Sequence, residues 1–235
     1  VSINLYQSVS PSGDLDPAPS TSINIYQPLS IFTNLYQPRL ISFACGTKPF
    51  MIQRTKIVPL AKGNVLEIGI GSGLNIPLYN KELVNNIIGV DPSTEMQSLA
   101  MERINESPVD IKLISADAAQ IPLEDQSIDT IVCTYTLCTV PNPAGVLKEM
   151  KRILRPEGKF LFSEHGHAPD QNVVKFQHRI EPVWKFIADG CHLTRSIPEL
   201  LIENGMKLDK METMYLPSTP RFVGFNYWGS AVNDS

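Results

Sequence analysis

The residues best placed to do chemistry are a carboxylate and three glycines at regular spacing, Glu67-x-Gly69-x-Gly71-x-Gly73, followed downstream by two more acids, Asp91 and Asp117. Each lies at or just past the end of a short apolar run: Val65-Leu66, then Ile87-Ile88-Gly89-Val90, then Ile111 to Ser115. Apolar runs that end this way read as buried parallel strands leaving a sheet. Glycines at the first exit let the backbone take left-handed angles and let a ligand approach the main chain closely. A carboxylate about twenty residues beyond such a loop accepts the two hydroxyls of a ribose. A further acid followed by small residues, here Asp117-Ala118-Ala119, suits the edge of an adenine. The spacing describes a site for a nucleotide-type cofactor.

The loop also separates the candidates. A dinucleotide fingerprint, G-x-G-x-x-G, needs a third small residue for close packing of helix on strand. Here Gly69-x-Gly71-x-x-Leu74 and Gly71-x-Gly73-x-x-Ile76 both end on a bulky side chain. A pyrophosphate gains little from Glu67 beside it, whereas a cofactor carrying an ammonium and a sulfonium gains. Together with Asp117, this favours S-adenosylmethionine over NAD.

The elements that must position these groups follow in order. Pro49 to Ala61 reads as a helix closed by Lys62-Gly63, and Asn64 to Ile70 as the first strand, handing over through the glycine turn to another helix. After Asp91 a helix starts within Pro92 to Met96, with Ser93 or Thr94 as its cap. Ile128 to Thr134 is a fourth strand, and Ala144 to Leu154 an amphipathic helix with Val146, Leu147, Met150, Ile153 and Leu154 on one face. Arg155 to Gly158 turns into a fifth strand, Lys159 to Glu164. Alternating strands and helices imply a parallel sheet with right-handed crossovers.

Beyond Glu164 the character changes, and all four histidines (His165, His167, His178, His192) and both tryptophans (Trp184, Trp228) lie there. Val173 to Ala188 reads as an added helix that Pro182 kinks, Ser196 to Glu203 as a second, and Met206 to Leu216 with Arg221 to Gly229 as a terminal pair of strands. This stretch would roof the carboxyl ends of the strands, where open α/β sheets hold their ligands.

Length and composition set the frame. The 235 residues, 43% hydrophobic and 19% charged, suit one α/β domain with some elaboration. A net charge of −4 with no basic cluster offers nothing to a phosphate backbone, so no nucleic-acid partner is expected. Four cysteines without a C-x-x-C pair (Cys45, Cys133, Cys138, Cys191) read as reduced thiols of a cytoplasmic protein. No run reaches the length of a membrane span, and no signal peptide is expected.

Residues 1–37 read as a separate arm and 38–235 as the domain. Within the arm Ser2-Ile3-Asn4-Leu5-Tyr6-Gln7 recurs as Ser22-Ile23-Asn24-Ile25-Tyr26-Gln27 and, loosened, as Phe32-Thr33-Asn34-Leu35-Tyr36-Gln37. The segment between the first two copies has linker chemistry. The arm is either a local duplication, flexible in part, or, through its third copy with Leu40 to Cys45, a lid over the cofactor.

These residues resemble the class I S-adenosylmethionine-dependent methyltransferases of the type 11 domain kind. Glu67-Ile68-Gly69-x-Gly71-x-Gly73, Asp91, Ala116-Asp117-Ala118 and Leu154-Arg155-Pro156-Glu157-Gly158 carry the likeness. A closer likeness, to the thiol methyltransferases of the methyltransferase-like group and their bacterial relatives, rests on Val132 to Val140, Glu164-His165-Gly166, Glu181-Pro182-x-Trp184-Lys185 and Asp189 to Arg195. The resemblance implies a Rossmann-like, mostly parallel seven-stranded sheet with helices on both faces and a helical insertion after strand five. It implies methyl transfer from S-adenosylmethionine to a small-molecule acceptor, most simply a thiol. O- or N-methylation of a lipid-like or quinone-like metabolite is the alternative, and a non-catalytic cofactor-binding protein is the alternative of another class. The better-known eukaryotic members carry an apolar membrane-anchoring N-terminus where this chain has its repeats. Peripheral membrane contact therefore stays open but is not indicated, and the oligomeric state stays open too.

Carried over by position, Gly69, Gly71 and Gly73 would lie against the methionine part, with Asn75 beside them and Glu67 near the ammonium. Asp91 with Pro92 would hold the ribose, Met96 would pack near the adenine, and Asp117 with Ala118 would read its edge. Cys133 and Thr134 would offer main-chain contacts. The expected substrate pocket is Tyr135, Cys138, His165, Trp184 and His192.

Methyl transfer from a sulfonium is an in-line displacement, so holding the acceptor against the methyl group supplies much of the catalysis. His165 reads either as a base for a thiol or hydroxyl proton or as a residue that simply caps strand five. No metal is expected, since His165-x-His167 is poor zinc spacing and Cys138 and Cys191 read as packing residues.

Overall fold

The computed structural model describes residues 36–234. Strands β1 (Gly63–Ile68), β2 (Val84–Val90), β3 (Asp110–Ile114), β4 (Ile128–Thr134), β5 (Leu154–His165), β6 (Met206–Tyr215) and β7 (Phe225–Asn233) form one sheet in the order β3-β2-β1-β4-β5-β7-β6. The first five run parallel, and β7 pairs antiparallel with both β5 and β6. The order reverses between β1 and β4, which opens a crevice at their carboxyl ends.

Burial on both faces accounts for the apolar strand sequences. In β4 every residue except Asp129 is buried. Alternate side chains of the central strands feed two cores. Leu66, Ile68, Ile131, Phe160 and Phe162 pack with Val146, Leu147, Met150 and Ile153 of one helix. Val65, Ile87, Val132 and Leu161 pack on the other face with Ile57 and Val58.

Among the described residues the α-helices are α1 (Gln37–Cys45), α2 (Lys48–Ile57), α3 (Thr94–Asn105), α4 (Pro143–Ile153), α5 (Gln171–Ile187), α6 (Ile197–Glu203) and the short α7 (Arg221–Gly224). Ser93 caps α3, its side chain accepting from the Met96 amide at 3.2 Å. The apolar stripe expected along α4 is buried, and each such side chain contributes about 1.5–3 kcal/mol.

Several elements depart from the sequence reading. No α-helix follows the glycine turn; Ile76–Leu78 is a 3-10 turn carrying Pro77, and Tyr79 leaves it in an extended conformation. β5 starts at Leu154, and a register irregularity against β4 absorbs the expected turn at Arg155 to Gly158. Arg221–Gly224 is helical, so the last strand starts at Phe225. Two helices, α5 and α6, occupy the stretch after β5.

All but the last two residues of the proposed arm lie outside the described residues, including the first two repeats. Gln37, expected in that arm, is buried at the start of α1, and its amide donates to the carbonyls of Phe186 and Ile187 at the end of α5.

Candidate active site

A cavity of about 510 Å³ opens at the crevice between β1 and β4. Its floor is the glycine turn. Gly69 and Gly71 both hold positive φ, for different reasons. A Cβ on Gly69 would overlap the side chain of Thr136, so that position is closed by packing. A Cβ on Gly71 would make only ordinary van der Waals contact, with Met96 Cε at 3.5 Å and the Gly69 carbonyl oxygen at 3.9 Å. Gly71 is therefore where the main chain lies bare to a ligand. Gly73 lines no part of the cavity and packs against Ile76 and Ala100.

Asp91, just past β2, is buried and on the cavity wall. Its Oδ2 accepts the Gly71 amide and its Oδ1 the Ser93 amide, each at 2.9 Å. Burial pushes its carboxyl above the usual range, against the pull of those two amides. Pro92, Met96, Thr134 and Tyr135 join it on the wall, as the sequence suggested.

Glu67 and Asn75 sit behind the floor. Glu67 Oε1 accepts from Asn75 Nδ2 at 2.9 Å and Oε2 from the Tyr79 hydroxyl at 2.6 Å. Burial pushes the Glu67 carboxyl up to about 7. Arg54 of α2 completes this layer and reaches the cavity. Its Nη1 donates to Asn75 Oδ1 at 2.9 Å and to Thr134 Oγ1, its guanidinium lies 5.0 Å from the centre of the Tyr135 ring, and its Nε has no protein partner. The sequence reading missed Arg54, because nothing in a mid-helix arginine tells that the helix will turn it under the sheet.

Above the cavity lies α1, whose Pro38, Ile41, Ser42 and Cys45 face inward. Ser42 Oγ meets Ser72 Oγ at 2.7 Å, which ties this helix to the glycine turn. Burial pushes the Cys45 thiol up to about 11 and the Tyr135 hydroxyl further still. The remaining edges are Thr136, Thr139 to Pro141 after β4 and Ala188 to Gly190 after α5.

Glu164 at the end of β5 holds the edge after β4. It is fully buried, and its carboxylate accepts from the amides of Thr136, Leu137 and Cys138 at 2.8, 3.1 and 3.2 Å. Arg195 adds to this by donating to the carbonyls of Leu137 and Val140.

Several expected site residues are elsewhere. Asp117 is exposed beside β3 and accepts from the Ala119 amide, while Ala118 is buried in the core. Cys133 is buried against Glu164 and off the wall. Trp184 packs edge-on to Phe222, and the His192 ring turns to Glu181. His165 is buried, its Nε2 2.9 Å from Cys191 Sγ, so it does not face the cavity as a base would. Cys138 belongs to the same buried cluster and is not on the cavity wall. Cys133 turns into the core from within β4, while Cys138 in the loop after β4 and His165 at the end of β5 meet Cys191 away from the wall.

Comparison with known proteins agrees with this architecture. A family model described as a methyltransferase domain matches residues 66–162. The chain is 30% identical over 178 residues to the thiol S-methyltransferase TMT1A of Homo sapiens, covering 74% of this chain and 72% of that protein. It is 34% identical over 135 residues to the thiol S-methyltransferase TMT1B of Rattus norvegicus, covering 56% of this chain and about half (54%) of that one. Among solved structures, a phosphoethanolamine N-methyltransferase of Haemonchus contortus, in complex with S-adenosylhomocysteine, superposes with a TM-score of 0.64. Its identity is 18%, over 87% of this chain and 60% of that one.

Proposed function

The chain belongs to the class I S-adenosylmethionine-dependent methyltransferases, and from that premise we propose that it methylates the sulfur of a small thiol held under α1. The observation that carries this reading is the set of titratable groups on the cavity wall: Arg54, Asp91, Asp189, Cys45 and Tyr135. Cys45 and Tyr135 are held protonated by burial. Asp91 is engaged with the turn. No histidine lines the described wall, and a thiol with an ordinary value of about 8.5 sheds its proton readily without one. The kinship with thiol S-methyltransferases supports the same assignment.

In this reading the cofactor lies along the glycine turn, its methionine part over Gly69 and Gly71 and its ribose on Asp91. Arg54, which reaches the cavity wall, meets the α-carboxylate of the cofactor. The cofactor supplies the methyl group as an electrophile. The protein's part is to hold the acceptor in line with it, between the aliphatic side chains of α1 and Tyr135.

The test is a panel of acceptors assayed with the purified chain: alkyl thiols, phenols and aminolipids. Transfer to thiols at least tenfold faster than to the others supports the proposal. Preferential transfer to a phenol or an aminolipid replaces it with O- or N-methylation of a lipid-like or quinone-like molecule.

A further inference from the structure

Cys138, His165 and Cys191 come from three separate stretches of chain: the loop after β4, the end of β5 and the loop after α5. Their ligand atoms all lie within 4.8 Å of one another, and all three residues are buried. Nothing in the proposed methyl transfer uses them.

We propose that these three side chains bind a thiophilic divalent cation of the zinc type. Two thiolates and an imidazole are a donor set that zinc takes, with a further position left for water or another ligand. Binding releases the two thiol protons, and the two sulfur charges then balance the ion. The buried complex carries no net charge, which avoids the cost of an unpaired buried ion.

The surroundings fit bound sulfur. The Trp184 indole N–H donates to Cys191 Sγ at 3.3 Å, as outer-shell donors do towards metal-bound ligands. The Cys138 main chain is held on both sides, its amide by Glu164 and its carbonyl by the His192 amide at 2.8 Å. His165 Nδ1 is buried without a protein partner, so the imidazole is oriented by its thiol side alone. Tetrahedral donors at metal–sulfur distances of about 2.3 Å and metal–nitrogen distances of about 2.0 Å stand about 3.5–3.8 Å apart, so metal entry opens the His165–Cys191 pair from 2.9 Å and keeps Cys138 within the same sphere. A bound ion would fasten the Thr139–Pro141 edge to the Ala188–Gly190 edge, because Cys138 and Cys191 are the immediate neighbours of those edges.

The experiment uses the full chain without a histidine tag, stripped with a chelator under reducing conditions and then titrated with Co²⁺ and Zn²⁺. The expected result is one Co²⁺ per chain, with a thiolate-to-cobalt charge-transfer band and the strong visible bands of a tetrahedral site, displaced by Zn²⁺. Cys138→Ser and Cys191→Ser should each abolish the charge-transfer spectrum or weaken it at least tenfold, whereas His178→Ala and Cys45→Ser should retain it. If the ligand variants fail to fold, the wild-type cobalt spectrum decides by itself, because the charge-transfer band requires thiolate coordination. Absence of that band overturns the proposal, as does a band that survives both cysteine changes. A Cys138–Cys191 disulfide that, once reduced, gives thiols unable to bind Co²⁺ overturns it too.

Discussion

The amide of Gly71 donates to Asp91 Oδ2 at 2.9 Å, so the glycine turn and the first downstream acid form one unit. Asp91 also accepts from Ser93, which leads into the capped start of α3. Its carboxylate therefore shapes the floor before any ribose arrives. Asp91→Ala should weaken S-adenosylmethionine binding at least tenfold, the loss of one charge-assisted hydrogen bond of about 1.5–3 kcal/mol. A drop of a few degrees in Tm should accompany it, since two amides lose their acceptor. Calorimetry with the cofactor and a thermal melt read the two effects separately; unchanged affinity would remove Asp91 from the ribose.

Two glycines on the same turn should lose different properties on change to alanine. Gly69→Ala places a Cβ into Thr136 at a positive φ, so its main effect should be lost stability, above the ~1 kcal/mol typical of the backbone term alone. Gly71→Ala shares the backbone strain but points its methyl into the cavity. Its distinguishing loss should be cofactor affinity, with a smaller fall in Tm. Melting curves and binding isotherms of both variants check the contrast.

Arg54 offers a more selective test. If it meets the cofactor's carboxylate, the wild-type protein should bind S-adenosylmethionine more tightly than its decarboxylated form. Arg54→Ala should erase that preference, beyond any general weakening from the lost bonds to Asn75 and Thr134. A preference that persists in the variant would place the carboxylate elsewhere.

Glu67 predicts a pH dependence of stability. Burial raises its carboxyl from an ordinary 4.5 to about 7. Between those values the folded chain holds a proton that the unfolded chain has released. Stability should fall as pH rises across that window and level off above it. Urea unfolding of wild type and Glu67→Gln at pH values on both sides should show the wild type losing on the order of 3 kcal/mol more than the variant. Equal slopes would mean that Glu67 is ionised throughout.

The roof should be separable from the arm. Truncation after Gly46 removes all of α1 and with it four residues of the cavity wall, Pro38, Ile41, Ser42 and Cys45. That variant should bind cofactor at least tenfold more weakly. Deleting residues 1–31 should leave both the fold and the affinity unchanged, as the reading of a separate arm requires. Circular dichroism and calorimetry on the two truncations decide it.

Local chemistry determined much of this protein in the sequence alone. Runs such as Ile87 to Val90 are rich in apolar residues because their strands are covered on both faces, and that pattern survives in one dimension. The spacing of Gly69, Gly71 and Asp91 is equally legible, since adjoining strands of a parallel sheet end side by side. The sequence also narrowed the cap of α3 to Ser93 or Thr94 and announced the buried stripe of α4, both of which depend only on near neighbours. Which polar side chains reach the cavity was decided by tertiary structure. Arg54 enters it because α2 packs beneath the sheet; His165 leaves it because β5 runs behind the edge held by Glu164. Cys138, His165 and Cys191 meet across 53 residues of chain for the same reason. Strand pairing and helix docking set such distances, and no local periodicity records them.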